Sequence, residues 1–275
     1  MIRDLITLFR LRLALLNGVA AAGGALFFPA PTATGLLWTV FSGVALLAAG
    51  GSALNQALEH DRDRLMARTC FRPVPQGSMT PASAAVIGII ISLAGTTVLA
   101  LFAGAVPALL GGLALAWYLA IYTPLKRRTP YALAAGAVCG ALPPVIGWCG
   151  AGGNIPDYRI MLLAGLLYLW QIPHFWLFQR RHAADYRAAG FPLLAAATRD
   201  SVFPGLFGLW IAALVTATML LPAFGLISHG IAVWYILFPL PLIAMTLLRS
   251  EKAIFSYLNL FPLLVTLMIF AQKQH

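Results

Sequence analysis

Long apolar runs recur along almost all of this 275-residue sequence, and they constrain its fold more than any other feature. About 20 apolar residues are enough for one helix to cross a lipid bilayer. The sequence therefore predicts an all-α, polytopic membrane protein that forms a single transmembrane domain over residues 1–275. Nine transmembrane helices are predicted, at residues 11–28, 35–57, 82–103, 105–122, 131–149, 159–178, 201–221, 230–248 and 254–271.

Composition agrees with a membrane protein and excludes an ordinary soluble domain. Hydrophobic residues make up 61% of the chain and charged residues only 9%, whereas about 25% of the residues in soluble domains are charged. The formal net charge is +10, but the basic residues are confined to short loops between apolar runs. We therefore expect no nucleic-acid partner. The three cysteines lack the spacing of a metal site and are expected to be buried small hydrophobes.

Basic residues predict the orientation of the chain. With the N-terminus placed in the cytoplasm, 16 of the 18 Lys and Arg residues fall on the cytoplasmic side. Because cytoplasmic loops of membrane proteins are enriched in basic residues, we predict a cytoplasmic N-terminus. The membrane is expected to be a bacterial inner (plasma) membrane. Three charged loops then share that face: loop 2–3, loop 4–5 and loop 6–7, each named by the spans that it joins. The opposite loops are short and almost uncharged, which argues against a transporter.

Loop 2–3 begins with an unusual concentration of acidic residues. Asn55, Glu59 and Asp63 are spaced i, i+4, i+8, so their oxygens lie along one face of a helix. Arg62 lies close to that face, and Asp61 adds a third carboxylate. Oxygen ligands of this kind suit Mg²⁺, which often binds carboxylates and substrate phosphates together. The alternative is a polar helix end whose charges are solvated.

Loop 4–5 supplies the opposite charge. Lys126, Arg127 and Arg128 follow the fourth span directly. Three basic residues after a span can act only as topology anchors. If they face the acidic helix, however, they can neutralise a diphosphate whose other oxygens bind the metal. An acidic cluster near a membrane is costly unless it is paired or coordinated, so the two groups together indicate a diphosphate site.

The sixth span and loop 6–7 carry a second polar stripe. His174, Arg181 and Asp185 follow one another at spacings of seven and four residues, from within the membrane to its surface. His174 is either an interior residue that hydrogen-bonds with Gln171 or a functional group. Asp185 is either a second metal ligand or an anchor for a neighbouring arginine.

Several motifs occur together in an order that is typical of one family. The first comprises Asn55, Glu59, Asp61, Asp63, Met66, Arg68, Thr69, Arg72 and Pro73. The others are Y-T-P-L-K-R-R-T at 122–129, G-A-L-P-P-V-I-G-W at 140–148, W-Q-I-P-H-F at 170–175 and D-Y-R-A-A-G-F-P at 185–192. Over residues 50–195 the chain resembles the intramembrane (UbiA-type) prenyltransferases and, within them, the heme O synthase (protoheme IX farnesyltransferase) branch. Glu59 departs from the Asp that is usual in the family.

The resemblance implies a fold, an activity and partners. It implies a nine-helix bundle of the UbiA-prenyltransferase type that is surrounded by membrane lipid. It implies a Mg²⁺-dependent transfer of the farnesyl group of farnesyl diphosphate to a vinyl group of heme B. A downstream heme-modifying enzyme is a candidate partner. Two alternatives stay open: a prenyltransferase of the same family with an aromatic or quinone-precursor acceptor, and a transporter or heme carrier without enzymatic activity.

The resemblance also implies roles for individual residues. The expected catalytic residues are Asn55, Glu59, Asp63, Lys126 and Asp185. The expected metal ligands are Asn55, Glu59, Asp61, Asp63 and Asp185. The expected diphosphate-binding residues are Arg62, Arg68, Arg72, Lys126, Arg127 and Arg181. Candidate contacts to heme or another acceptor are Trp170, Gln171 and His174, with His174 also a candidate axial ligand of the heme.

Overall fold

In the computed structural model the described residues are 2–194, 205–227, 235 and 237–273, and all regular structure in them is helical. A π-helical segment, Trp117–Tyr122, lies within the helix that runs from Ala105 to Leu125. The helices are α1 (Ile2–Leu8), α2 (Leu11–Phe27), α3 (Thr34–Arg64), α4 (Pro73–Gln76), α5 (Pro81–Phe102), α6 (Ala105–Leu125), α7 (Ala132–Gly150), α8 (Tyr158–Arg181), α9 (Ala183–Ala188), α10 (Gly205–Ala223), α11 (Leu240–Leu247) and α12 (Glu251–Lys273).

The number of membrane-spanning helices is close to the prediction. Within the described residues seven helices are long and apolar enough to cross a membrane, and α1 with α2, which are bent by 52°, form an eighth candidate. The all-helical prediction is confirmed, and the predicted count of nine is approximately consistent with these helices. The predicted spans at 201–221 and 230–248 fall partly outside the described residues.

Helix α3 extends two turns beyond the predicted end of the second span. It continues to Arg64 because Gln56, Glu59 and Asp63 in its last turns face the protein interior instead of ending the helix. Gln56, which is fully buried, donates through Nε2 to the carbonyl oxygens of Thr7 (3.2 Å) and Leu8 (2.7 Å). These bonds satisfy carbonyls at the end of α1, so the N-terminal helix is attached directly to the polar end of α3.

Small residues allow α3 to pack closely against α5. A Cβ atom added at Gly50 would lie 2.7 Å from the carbonyl oxygen of Gly88, and one added at Gly95 would lie 2.7 Å from that of Gly43. Backbones that approach this closely are typical of helix pairs in membranes. The packing therefore holds the polar end of α3 in a fixed position relative to its neighbours.

An alanine at Gly147 is expected to destabilise the protein. The new Cβ would lie 1.8 Å from the carbonyl oxygen of Ala21, so α7 and α2 would have to move apart. We expect Gly147→Ala to lower the free energy of unfolding by about 1–3 kcal/mol, as overpacking of a close interface does. Thermal unfolding in detergent measures the effect. Gly165→Ala in α8 is the matched control, because a Cβ there meets nothing within 4 Å; equal melting temperatures of the two variants would contradict this packing.

Candidate functional site

The acidic face of α3 lies inside the protein. Asn55, Glu59 and Asp63 are on successive turns, and only 6%, 2% and 3% of their surfaces are exposed. Helical spacing of three oxygen-bearing residues thus produces one buried polar face, as the sequence predicted. Burial of two carboxylates is costly unless each has a charged partner. The partners come from two different loops, loop 4–5 for Glu59 and loop 2–3 for Asp63.

Asp61 does not belong to this face. Its side chain is 83% exposed and lies 3.2 Å from Nε2 of His60. Two residues along an α-helix correspond to about 200° around its axis, so Asp61 lies on the side opposite Glu59 and Asp63. The structure therefore separates Asp61 from the other expected metal ligands.

Glu59 binds two basic residues of loop 4–5. One carboxylate oxygen forms an ion pair with the ammonium of Lys126, and the other lies 3.5 Å from Nε of Arg127. Arg127 also donates through Nη2 to the carbonyl oxygen of Leu58, at 3.1 Å. Burial lowers the pKa of Lys126, and the Glu59 carboxylate opposes this shift. The basic loop is therefore more than a topology anchor, because it is in direct contact with the acidic helix.

Asp63 is paired within loop 2–3. Arg72 lies with Nη1 2.6 Å from Oδ2 of Asp63, and only 13% of the Arg72 side chain is exposed. The hydroxyl of Thr69, which is fully buried, donates to the backbone carbonyl of Asp63 at 2.8 Å. The turn after α3 thereby brings the Arg72 guanidinium back to the Asp63 carboxylate near the end of that helix.

Loop 6–7 is fastened to loop 2–3. Both carboxylate oxygens of Asp185 accept backbone N–H groups, from Ala67 at 3.0 Å and from Arg68 at 3.2 Å. Arg62 donates to the carbonyl oxygen of Ala189 at 2.8 Å, and its guanidinium lies over the ring of Phe191. The expected roles of Asp185 and Arg62 at a metal or diphosphate remain predictions, but both residues already order the site by joining two loops.

Thr123 and the π-helical segment were missed by sequence reasoning. The Thr123 hydroxyl donates to the carbonyl oxygen of Tyr118 at 2.8 Å and lies 3.1 Å from Oδ1 of Asn55. The rings of Tyr118 and Tyr122 stack at 5.8 Å on the same segment. π-helical turns often occur at functional sites, but no sequence pattern identified this one.

The other predicted basic residues lie against aromatic rings. The guanidinium of Arg68 is 5.2 Å from the centre of the Phe178 ring, and that of Arg181 is 5.4 Å from the Phe255 ring. Burial lowers the pKa of Arg68, to which the nearby charges of Arg72 and Arg10 also contribute. Arg68 thus lies beside other basic residues at the site. Arg181, at the end of α8, instead lies against Phe255 of α12.

The three predicted acceptor contacts differ in their surroundings. Gln171 is buried and donates through Nε2 to the carbonyl oxygens of Ala137 (3.2 Å) and Leu167 (3.4 Å), so its amide joins α7 to α8. Trp170 donates through Nε1 to Leu258 of α12 at 2.7 Å. His174 stacks on Trp170, and its buried Nδ1 has no hydrogen-bond partner in the part of the chain that the structure describes. The predicted bond between His174 and Gln171 is therefore wrong, because the amide of Gln171 binds backbone instead.

The buried oxygens fit a hard cation that is shared with a phosphate. Glu59 Oε1 is buried and accepts no hydrogen bond from the residues described. Among these residues no three His, Cys, Asp or Glu side chains cluster so as to hold a metal by themselves. Mg²⁺ commonly binds one or two carboxylates, with waters and substrate phosphates completing its shell. Asn55, Glu59 and Asp63 match such a partial ligand set.

Comparison with known proteins decides the family. The model of the UbiA prenyltransferase family matches residues 13–258. This chain belongs to the UbiA prenyltransferase family. A protoheme IX farnesyltransferase from Geobacter sulfurreducens is 56% identical over 268 residues, which cover 97% of this chain and 98% of that protein. The resemblance to this branch of the UbiA family is confirmed, and the chain is an intramembrane prenyltransferase.

Solved structures of the UbiA family share the fold. A UbiA homolog from Aeropyrum pernix K1 has a TM-score of 0.73 at 21% identity, with 95% of this chain and 97% of that chain covered. A UbiA homolog from Archaeoglobus fulgidus bound to GPP and Mg²⁺ has a TM-score of 0.70 at 15% identity, with 99% and 100% covered. These likenesses support the predicted UbiA-type helical bundle of an integral membrane protein.

Proposed function

We propose that this chain is a heme O synthase that transfers the farnesyl group of farnesyl diphosphate to a vinyl group of heme B. The observation that carries the diphosphate half of the proposal is the contact of Glu59 with Lys126 and Arg127, which brings opposite charges from two loops together at the end of a span. The acceptor half is supported by the protoheme IX farnesyltransferase to which the chain is 56% identical.

The proposed Mg²⁺ ligands are the oxygens of Asn55, Glu59, Asp63 and Asp185. When bound, Mg²⁺ would neutralise charge that develops on the leaving diphosphate. Support comes from the buried Glu59 Oε1, which accepts no hydrogen bond from the residues described, and from the UbiA homolog that was solved with GPP and Mg²⁺. Asp61 is left out of this set because its carboxylate faces away from the others.

The basic residues stabilise the leaving group in the proposed reaction. The allylic C–O bond breaks and its electron pair leaves with the diphosphate, so negative charge grows on the bridging oxygen. In this proposal Lys126, Arg127, Arg72, Arg68 and Arg62 bind the diphosphate, and they interact more strongly with the transition state than with the ground state. The vinyl π electrons of heme then attack the farnesyl carbocation. Water adds to the resulting cation and loses a proton, which gives a hydroxyethylfarnesyl substituent.

Product masses test the proposal against its main alternative. Purified protein is given farnesyl diphosphate and Mg²⁺ with equal concentrations of heme B and 4-hydroxybenzoate. We expect mass spectrometry to find farnesylated heme, with diphosphate released in equal amount. Farnesylated 4-hydroxybenzoate would indicate another prenyltransferase, and ligand binding without diphosphate release would indicate a carrier.

The active site is proposed to face the cytoplasm of a bacterium, in a single transmembrane domain of the inner membrane. The distribution of basic residues among the loops supports this orientation. A reporter fused after His275 should therefore be active only if it works outside the cytoplasm. Activity of a cytoplasmic reporter at this position would show that the orientation is opposite to the one proposed. A heme-modifying enzyme that acts on the product next is a candidate partner.

Activity should depend on the protonation of Lys126. Burial lowers the pKa of Lys126, so its ammonium loses its proton at a lower pH than that of an ordinary lysine. As the pH rises, we expect the rate of diphosphate release to fall before the pH reaches the usual pKa of lysine. Lys126→Arg should move this fall to higher pH, because arginine stays charged. Identical pH profiles of the two proteins would show that another group is responsible.

A further inference from the structure

Helices α8 and α12 together form a column of planar side chains that the diphosphate chemistry does not use. The ring of His174 stacks on Trp170, with centroids 5.1 Å apart and planes at 25°. On α12 the ring of Phe255 lies 5.4 Å from His174 and is almost parallel to it, at 9°. The guanidinium of Arg181 lies over Phe255 at 5.4 Å. We name Trp170, His174, Phe255 and Arg181 the aromatic column.

Both helices are fixed at each end of the column. Trp170 donates through Nε1 to the carbonyl oxygen of Leu258 at 2.7 Å. Near the surface, Arg180 forms an ion pair with Glu251 at 2.9 Å. Trp170, His174 and Phe255 are each only partly buried. The rings are therefore held in position while part of their surface stays accessible.

The two ends of the column differ in polarity. Trp170 lies within the apolar span, whereas Arg181 is exposed at the end of α8. No acidic side chain among the described residues forms an ion pair with Arg181. A ligand that suits this surface is flat, largely apolar and carries a carboxylate at one edge. A flexible prenyl chain has neither the flat shape nor the carboxylate.

The column is continuous with the diphosphate site. Phe175 contacts His174 edge-on at 5.3 Å and Phe178 at 6.5 Å, and Phe178 lies under the guanidinium of Arg68. Aromatic rings thus lead from a basic residue of the diphosphate site to His174. A molecule on the column lies beside the group that reacts rather than at a separate surface.

We propose that the aromatic column is the acceptor subsite, on which the macrocycle of heme B packs with a propionate carboxylate bound to Arg181. This inference rests on the proposed function and assigns Arg181 to the acceptor instead of the diphosphate. His174 acts by packing, because its Nδ1 lacks the second hydrogen bond that usually orients a metal-ligating histidine. Helix α12, which carried no sequence motif, contributes Phe255.

Heme binding tests the packing surface without catalysis. Heme B is titrated into purified protein in the absence of farnesyl diphosphate, and the Soret band gives Kd. We expect Phe255→Ala and His174→Ala to weaken binding about tenfold or more, as loss of a buried aromatic contact does. His174→Phe should bind nearly as well as the native protein. Phe270→Leu, on the same helix away from the column, is the control.

A heme ester tests the role of Arg181. Arg181→Gln should weaken heme B about tenfold, as loss of a charge-assisted hydrogen bond does. It should not weaken the dimethyl ester of heme, which has no carboxylate. Arg187→Gln, an exposed arginine in the same region, should change neither.

The outcomes separate this inference from the function itself. Unchanged heme affinity in Phe255→Ala, His174→Ala and Arg181→Gln would overturn it, even if farnesylated heme is still formed. Loss of affinity in His174→Phe would overturn the packing role in favour of iron ligation. If the same variants raise the KM of farnesyl diphosphate as much as they raise the Kd of heme, the column is not a separate subsite. If native protein binds heme on the column but forms no farnesylated heme, the proposed function fails instead.

Discussion

Asp63→Asn should reduce the rate of diphosphate release by about 10²- to 10³-fold, which is the size of effect expected when a group that stabilises the leaving charge is removed. Asparagine has nearly the same shape as aspartate but no negative charge. Asp63 is buried, faces the same side of α3 as Glu59, and lies 2.6 Å from Arg72. In the proposed site the substitution therefore weakens the binding of Mg²⁺, and it also removes the charged partner of the Arg72 guanidinium.

Asp61→Asn is the matched control for this experiment. It removes the same charge two residues away, but its side chain is 83% exposed and faces away from the site. We expect the rate to stay within about twofold of the native rate, since exposed charges contribute little. Steady-state diphosphate release at saturating Mg²⁺ compares the two variants. Equal losses in both would mean that only the overall charge of loop 2–3 matters.

Glu59→Gln should cause a loss of activity of similar size, together with a loss of stability. Glu59 is buried to 98% of its side chain and pairs with Lys126 and Arg127. Removal of one partner leaves Lys126, whose side chain is only 22% exposed, without its counter-charge, which costs about 3 kcal/mol in the free energy of unfolding. Thermal unfolding and diphosphate release measure the two effects on the same preparation.

The double variant Glu59→Gln with Lys126→Gln separates structure from catalysis. Removal of both charges eliminates the uncompensated ammonium, so most of the stability should return. Activity should stay low, because both a candidate metal ligand and a diphosphate-binding cation are absent. Recovery of activity in step with stability would identify Glu59 and Lys126 as a structural ion pair only.

The sequence predicted the helices well where hydropathy alone decides them. The break between the third and fourth predicted spans is real, because Gly104 has a φ of +105°, which favours glycine, between α5 and α6. Hydropathy failed at the end of α3, where polar residues are buried rather than exposed. It also missed α1, which is too short to be recognised by its apolar length.

The site was partly predictable for a similar reason. Local helical spacing placed Asn55, Glu59 and Asp63 on one face, and the same spacing argues against Asp61. Contacts between distant segments do not follow from spacing. The bonds of Asp185 to the backbone of loop 2–3, the position of Arg181 over Phe255 and the approach of Thr123 to Asn55 all depend on how the helices pack.

The central claim is that the acidic face of α3 and the basic loop 4–5 hold one diphosphate through a divalent cation. Mn²⁺, which favours the same octahedral oxygen ligands as Mg²⁺, is paramagnetic and can replace it as a probe. Pulsed electron paramagnetic resonance of purified protein with Mn²⁺ and farnesyl diphosphate should show coupling of the metal to phosphorus. Asp63→Asn should abolish this coupling and Asp61→Asn should leave it intact. No phosphorus coupling in the native protein, or the same coupling in Asp63→Asn, would contradict the account.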